Sequence, residues 1–301
     1  MYYGLTRNQV KLIIHDYAIQ LGVNHNISNK TKMMGNEWLK LFLKRNSSIS
    51  LRKPEGLSLY RINGFTKVSV NLFFENLSHL INLYNYPPSN IFNVDEIGLH
   101  TSHTPRKILA GKGAKRVMKV ISSDRGELIT VTCCFNANGY YIPPMFTFPR
   151  KNVTSALMNG SPKNSVAFGS PSGWNNSDIF SKWMEHFMKF KNTNNRTLLI
   201  MDNHSSRISL NVINLARANA VDVLSIPPHS SHRIQPLDVS FFGSLRQKYN
   251  NACDEWLLRH LAQKITIYQV AEIFNMAYSN AAVPDKGKNG FRALVFHHIT
   301  P

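Results

Sequence analysis

The chain has 301 residues, more than one typical domain of roughly 100–150 residues, with 43% hydrophobic and 17% charged side chains and a net charge of +18. That balance excludes the low-hydrophobicity signature of disorder, no run of about 18 apolar residues marks a membrane span, and MYYGLTRNQVKL lacks the apolar stretch of a secretory leader. Three cysteines without a CxxC pair suit a reducing compartment, and the surplus of cations calls for a polyanionic partner, nucleic acid first.

From Thr6 to about Gly22 the positions Val10, Ile13, Ile14, Tyr17, Ala18 and Leu21 recur at helical spacing. A second helix follows Gly35 and Asn36, carries Trp38, Leu39, Leu41, Phe42 and Leu43, and ends near Asn46 with Lys44 and Arg45 in its last turn. Ser50-Leu51-Arg52-Lys53-Pro54 then makes a basic turn, and a third helix is predicted over Lys67 to Tyr84. Tyr86-Pro87-Pro88-Ser89 breaks the pattern and marks a module boundary. Beyond Asn90 strands are predicted at Ile91–Val94, Arg116–Ser122, Leu128–Phe135 and, after a turn at 136–139, Tyr140–Phe148. The Gly/Ser/Asn-rich stretch 152–177 reads as irregular. A helix over Asp178–Phe190, a buried strand over Thr197–Met201, a helix over Ser209–Asn219 and a strand over Val221–Ile226 come next. Helices resume around Leu237 through about His260 and again over Ile267–Tyr278. Strands first, then alternating helix and strand, predict a mixed α/β sheet behind an all-α module.

The positive charge is spread along the chain, with 11 basic against 4 acidic side chains in residues 1–90, 9 against 4 in 91–155 and 15 against 9 in 156–301. Its densest run is Arg106, Lys107, Lys112, Lys115, Arg116 and Lys119, either a solvated loop or a phosphate-contacting surface. The acids of the second module fall at telling places. Asp95 follows the apolar Ile91-Phe92-Asn93-Val94, Asp202 follows Leu198-Leu199-Ile200-Met201, and Asp238 lies near a helix start after the strand-like Val223–Ile226. Ligands collect at strand carboxyl ends of open α/β sheets, and three converging carboxylates repel unless hard divalent cations sit between them. Two such ions, about 3.5–4 Å apart, activate an attacking oxygen and stabilise a leaving one at a phosphodiester. The plainer alternatives stay open: a turn cap at Asp95, an Asx turn at Asp202-Asn203, and a helix-dipole acid at Asp238.

Met201-Asp202-Asn203-His204-Ser205-Ser206 followed by Ile226-Pro227-Pro228-His229-Ser230-Ser231-His232-Arg233-Ile234-Gln235-Pro236-Leu237-Asp238 strongly resembles the DDE superfamily of transposases and endonucleases, in its pogo, Tigger and jerky-like branch. Asn93-Val94-Asp95-Glu96 resembles the first acidic motif, Ile142-Pro143-Pro144-Met145 the central strand, Ser172-Gly173-Trp174 a later loop and Asn289-Gly290-Phe291-Arg292-Ala293 the carboxyl-terminal helix region. The resemblance covers roughly 88–293. It implies an RNase H-like fold with Asp95, Asp202 and Asp238 as catalytic acids and metal ligands, two Mg²⁺ or Mn²⁺ ions, and Glu96, Asn203 and His204 in support. Thirty-five residues separate Asp202 from Asp238, close to the family's interval. Trp38-Leu39, Phe42-Leu43-Lys44-Arg45 and Ser50-Leu51-Arg52-Lys53-Pro54-Glu55 resemble the family's CENPB-type helix-turn-helix domain, which implies duplex-DNA contacts from Lys44, Arg45, Arg52, Lys53 and Arg61. Three departures accompany the resemblance. Only a few residues precede Thr6 where relatives usually carry a further pipsqueak-type helix-turn-helix, so a shortened start is expected. Arg207 stands where relatives often have His, and Val295–Ile299 departs from the usual ending.

The expected organisation is a helix-turn-helix domain over 1–70, a connecting helix and linker over 71–87, and an RNase H-like endonuclease domain over 88–301. The expected activity is metal-dependent cleavage and joining of DNA phosphodiesters in the nucleus, Asp95 and Asp202 sharing one ion and Asp238 completing the other. The contrasting expectation is a domesticated, catalytically silent DNA-binding protein. Double-stranded DNA is the expected partner, a homodimer follows from the resemblance, and no membrane or small-molecule cofactor is expected. A zinc site at His204, His229 and His232 matches no standard spacing; orienting Asp202 or contacting phosphate suits His204 better. Cys133 and Cys134 are expected in the core.

Overall fold

Helix caps, strand alternation and one polar clamp explain most of the architecture. In the computed structural model the described residues are 6–23, 31, 33–51, 67–102, 112, 126–191, 195–204, 207, 209–228 and 230–299. The chain divides into two units, Met1–Leu57 and Ser58–Pro301.

In the first unit, helix α1 (Arg7–Gln20) begins at a capping box: Thr6 Oγ1 accepts from the Gln9 N–H at 3.3 Å and Gln9 Oε1 accepts from the Thr6 N–H at 2.8 Å. Helix α2 (Asn36–Arg45) places Glu37 in its first turn and Lys44 and Arg45 in its last, both favourable to its dipole. Trp38 stacks on Phe42 with centroids 5.2 Å apart, and Ala18, Met34 and Leu39 are the buried apolar residues among the described residues of this unit. Arg52, Lys53 and Arg61 lie outside the described residues, as does the strand expected over Arg116–Ser122.

The second unit opens with helix α3 (Lys67–Tyr84), which buries Phe73, Phe74 and Leu77 in the same core as the sheet. The strands are β1 (Ile91–His100), β2 (Leu128–Asn136), β3 (Tyr141–Phe148), β4 (Val166–Gly169), β5 (Thr197–Asp202) and β6 (Val221–Ile226). They form one mixed sheet in the order β4-β3-β2-β1-β5-β6. β2 runs antiparallel to β1 and β3, whereas β1, β5 and β6 run parallel, as do β3 and β4. Pro143 and Pro144 have no N–H to offer β2, and the β2–β3 ladder shifts register between Thr132 and Cys134.

Period-two alternation divides the sheet's residues between two cores. One face sends Phe92, Val94, Leu199 and Met201 against helices α4 (Ser177–Phe190) and α5 (Leu210–Ala218). There Phe180, Trp183 and Phe187 stack in sequence, with centroids 5.1 and 5.3 Å apart. All three are fully buried, each worth roughly 1.5–3 kcal/mol of burial. The other face sends Ile97, Leu99, Leu198, Ile200, Leu224 and Ile226 against α3, the short helix α6 (Ser231–Ile234), a π-helical turn (Asp238–Phe242), α7 (Gly243–Arg259), α8 (Ile267–Ala281) and α9 (Pro284–Ile299). Adjacent Cys133 and Cys134 are buried in opposite cores.

Two expectations are corrected. Asp95 is in the middle of a ten-residue strand rather than at the end of a short one, because Ile97 and Leu99 continue the buried alternation and β2 pairs with β1 as far as His100↔Leu128. The stretch 152–177 contains β4, a four-residue edge strand held in parallel register by Met145–Phe148 of β3.

Candidate active site

Strand parity brings the first two acids together. Asp95 has the parity of Ile97 and Leu99, Asp202 that of Leu198 and Ile200, so both carboxylates leave the sheet on the α7 face. The β1–β5 ladder runs Ile91↔Leu198, Phe92↔Leu199 and Asn93↔Ile200. The same register carried two places further sets Asp95 opposite Asp202, where the paired strands part.

Asn93 links these strands to the third acid. Its side chain is fully buried; Nδ2 donates to the Ile200 carbonyl at 3.0 Å and Oδ1 accepts from the Leu237 N–H at 3.0 Å. Leu237 immediately precedes Asp238, so one amide fixes β1, β5 and the start of the π-helical turn at once. Such turns interrupt regular helices frequently at functional sites. Asp238 keeps an exposed face, yet the protein packed around it removes enough water from its carboxyl to raise it above its ordinary value, with repulsion from Asp202 adding to this and Arg246 and His232 opposing. Burial likewise pushes Asp95 up to about 7, against the pull of the adjacent Arg207 and with repulsion from Asp238 and Asp202. The carboxylates of Asp202 and Asp238 thus lie close enough to Asp95 to raise it, and that of Asp202 close enough to raise Asp238.

Arg207 lies between Asp95 and Asp202. Its side chain is 4% exposed, with Nη2 2.8 Å from Asp95 Oδ1, Nη1 2.8 Å from Asp202 Oδ1 and Nε 3.4 Å from Glu96 Oε1. Burial opposes its charge, but Asp95, Glu96 and Asp202 together hold the guanidinium above its ordinary basicity. Asp202 Oδ1 also accepts from the His204 N–H at 3.2 Å, an Asx turn that leads the chain out of β5. Asn203 and His204 are exposed, as is Asp238. Gln235 is fully buried three residues before Asp238, and neither of its amide atoms has a hydrogen-bond partner. Lys44 and Arg45 are exposed at the end of α2 in the first unit, and His229 lies outside the described residues.

By donor chemistry Asp95, Asp202 and Asp238 suit a hard divalent ion, since they offer only oxygen. By arrangement they do not fit one: the guanidinium lies between the two carboxylates that would share it. Among the described residues no group of three or more His, Cys, Asp and Glu side chains is spaced to hold a metal. Arg207, which the sequence marked only as a departure, thus lies where the acids expected to share an ion face each other. Asn93 also went without a role at the sequence level; its signal was a buried-strand amide two places before an acid, hence on the same face.

The family model described as DDE superfamily endonuclease matches residues 126–285, a span that includes Asp202, Arg207 and Asp238. A protein of Cochliobolus lunatus named MFS-type transporter clz9 is 29% identical over 223 residues, 72% of this chain and 24% of that protein. The chain thus spans about a quarter of the length of that curated relative. Among the described residues no helix is long and apolar enough to cross a membrane. Of solved structures, the Mos1 strand transfer complex is similar at a TM-score of 0.56 and 11% identity, over 99% of this chain and 78% of that one. The Mos1 transposase paired-end complex with left transposon end gives 0.50 and 12% over 96% and 82%, and the Mos1 mariner paired end complex with Mn gives 0.50 and 12% over 98% and 80%. These likenesses are of fold: a six-stranded mixed sheet with flanking helices, the RNase H-like architecture of transposase catalytic domains. With more than half of its length matched by the family model, the chain belongs to the DDE superfamily of endonucleases.

Proposed function

We propose that this chain is a transposon-derived, nuclear DNA-binding protein of the pogo, Tigger and jerky-like branch that presents a DDE-type acid cluster to duplex DNA. The observation that carries this reading is the convergence of Asp95, Asp202 and Asp238 from two strands and a covering turn. The net charge of +18 supports a polyanionic partner. Exposed Lys44 and Arg45 at the end of α2 suit phosphate contacts from a CENPB-type helix-turn-helix, with Arg52, Lys53 and Arg61 completing the basic surface and a homodimer as the working assembly.

Two readings of the acid cluster follow. Convergence favours an endonuclease and strand transferase, in which Mg²⁺ or Mn²⁺ would be required. The Arg207 guanidinium between Asp95 and Asp202 favours a silent descendant that keeps the fold to bind DNA, and it is the more specific observation. The test is duplex-DNA anisotropy across a salt series, with plasmid nicking in Mn²⁺ measured on the same protein and on Asp202→Asn. The expected result is affinity that falls steeply with salt as counterions are released and no nicking above the Asp202→Asn background. Affinity independent of salt would sink the DNA-binding reading, while nicking abolished in the variant would restore the enzyme.

A further inference from the structure

We infer that the Arg207 guanidinium takes the place of a divalent cation in this chain, closing the acid cluster to metal for as long as it lies between Asp95 and Asp202. The inference rests on the reading of those acids as a DDE cluster and goes beyond it by assigning the ion they hold.

The geometry is that of a counter-ion more than of a hydrogen-bonded fork. Three carboxylates surround one side chain that is 4% exposed. Of the three contacts, only Arg207 Nη2 to Asp95 Oδ1 has hydrogen-bond geometry; Nε and Nη1 are buried without a hydrogen-bond partner, although Glu96 and Asp202 oxygens lie 3.4 and 2.8 Å away. Arginine elsewhere engages carboxylates through directed, often bidentate bonds. Here charge attraction holds the group where direction does not, and Glu96 Oε1 is also buried without a donor. Acids arranged around a centre of charge are what a spherical cation requires as well. The two cannot coexist: carboxylate oxygens sharing Mg²⁺ or Mn²⁺ at about 2.1 Å close around the ion, in the volume that the guanidinium fills, and a second positive charge beside it would be repelled.

Arg207 and a divalent ion should therefore substitute for each other. The experiment measures Mn²⁺ binding by the loss of the free-ion paramagnetic resonance signal, together with thermal melting in EDTA, Mg²⁺ and Mn²⁺. It compares the full chain with Arg207→Gln and with Arg207→Gln combined with Asp202→Asn. The native chain should show no saturable Mn²⁺ binding and a melt insensitive to metal. Arg207→Gln should melt lower in EDTA, recover in Mn²⁺, and bind the ion at least about tenfold more tightly than the native chain. The double variant, which removes one charge of each sign, should fold without metal and lose that binding. Should Arg207→Gln not fold in EDTA, recovery of its native circular dichroism in Mn²⁺ but not in NaCl is the same result. Equal Mn²⁺ affinity in the native chain and Arg207→Gln overturns the inference, and so does a variant that neither binds nor is rescued by Mn²⁺. Duplex-DNA anisotropy on the same samples reports separately on the proposed function, since DNA binding does not require the cluster to hold metal.

Discussion

Replacing Asn93 by Ala should cost more stability than its modest size suggests. The side chain has no exposed surface and spans two bonds of 3.0 Å, to the Ile200 carbonyl and from the Leu237 N–H. Alanine removes the buried acceptor of the Leu237 N–H and a buried donor to the Ile200 carbonyl, at roughly 1–3 kcal/mol each, so the expected loss is about 2–6 kcal/mol. That is a large share of a native stability of about 5–15 kcal/mol. With a urea m-value near 2 kcal/mol/M, a loss of about 3 kcal/mol lowers the midpoint by roughly 1.5 M at unchanged m. Fluorescence of Trp183 and Trp256, both buried in the second unit, reports the transition. Asn93→Asp should not rescue it: the carboxylate still accepts from Leu237 but cannot donate to Ile200, and it adds negative charge on the face that carries Asp95. A midpoint within about 0.3 M of the native value would refute the account of Asn93 as the clamp between strands and turn.

The Asp222 carboxyl is opposed by burial, yet hydrogen bonds from Arg196 and Tyr86 outweigh it and hold the group below its ordinary value. A depressed carboxylate stabilises above its unfolded pKa of about 3.9 and loses that contribution as pH falls through the folded value. Asp222→Asn should be less stable than the native chain at pH 7, by about 1 kcal/mol given the exposure of Arg196, and the deficit should shrink below about pH 4; a deficit constant from pH 7 to pH 3 in urea titrations would contradict it. Gly139 has φ +87° in the β2–β3 turn, and a Cβ there would lie 2.4 Å from the Pro284 carbonyl oxygen. Gly139→Ala should therefore cost roughly 2 kcal/mol or more, read as a lowered melting temperature, and an unchanged melt would show that α9 can shift away from the turn.

Local pattern carried much of this fold in the sequence. The helical spacing of 6–22 ends in a helix whose Thr6–Gln9 capping box is written into four consecutive residues, Val221–Ile226 has the bounds that its pattern predicts, and the helix through Phe73 and Leu77 ends at Tyr84 as expected. Parity already set Asn93 and Asp95 on one face of β1, and a run of apolar residues before each acid marked Asp95 and Asp202 for scrutiny. These features depend on residues within a turn or a strand of each other, so a one-dimensional pattern contains them. What the tertiary structure decided depends on partners far away in sequence. β1 extends to His100 because β2 pairs along it, and β4 exists because β3 supplies its ladder. The acids become neighbours because the order β2-β1-β5 puts two parallel strands side by side, with Asn93 reaching Leu237 across 144 positions. Arg207 meets Asp95 across 112 positions. In the sequence it is one more cation among 35; only burial between carboxylates, where water no longer screens it, makes that charge decisive for the site.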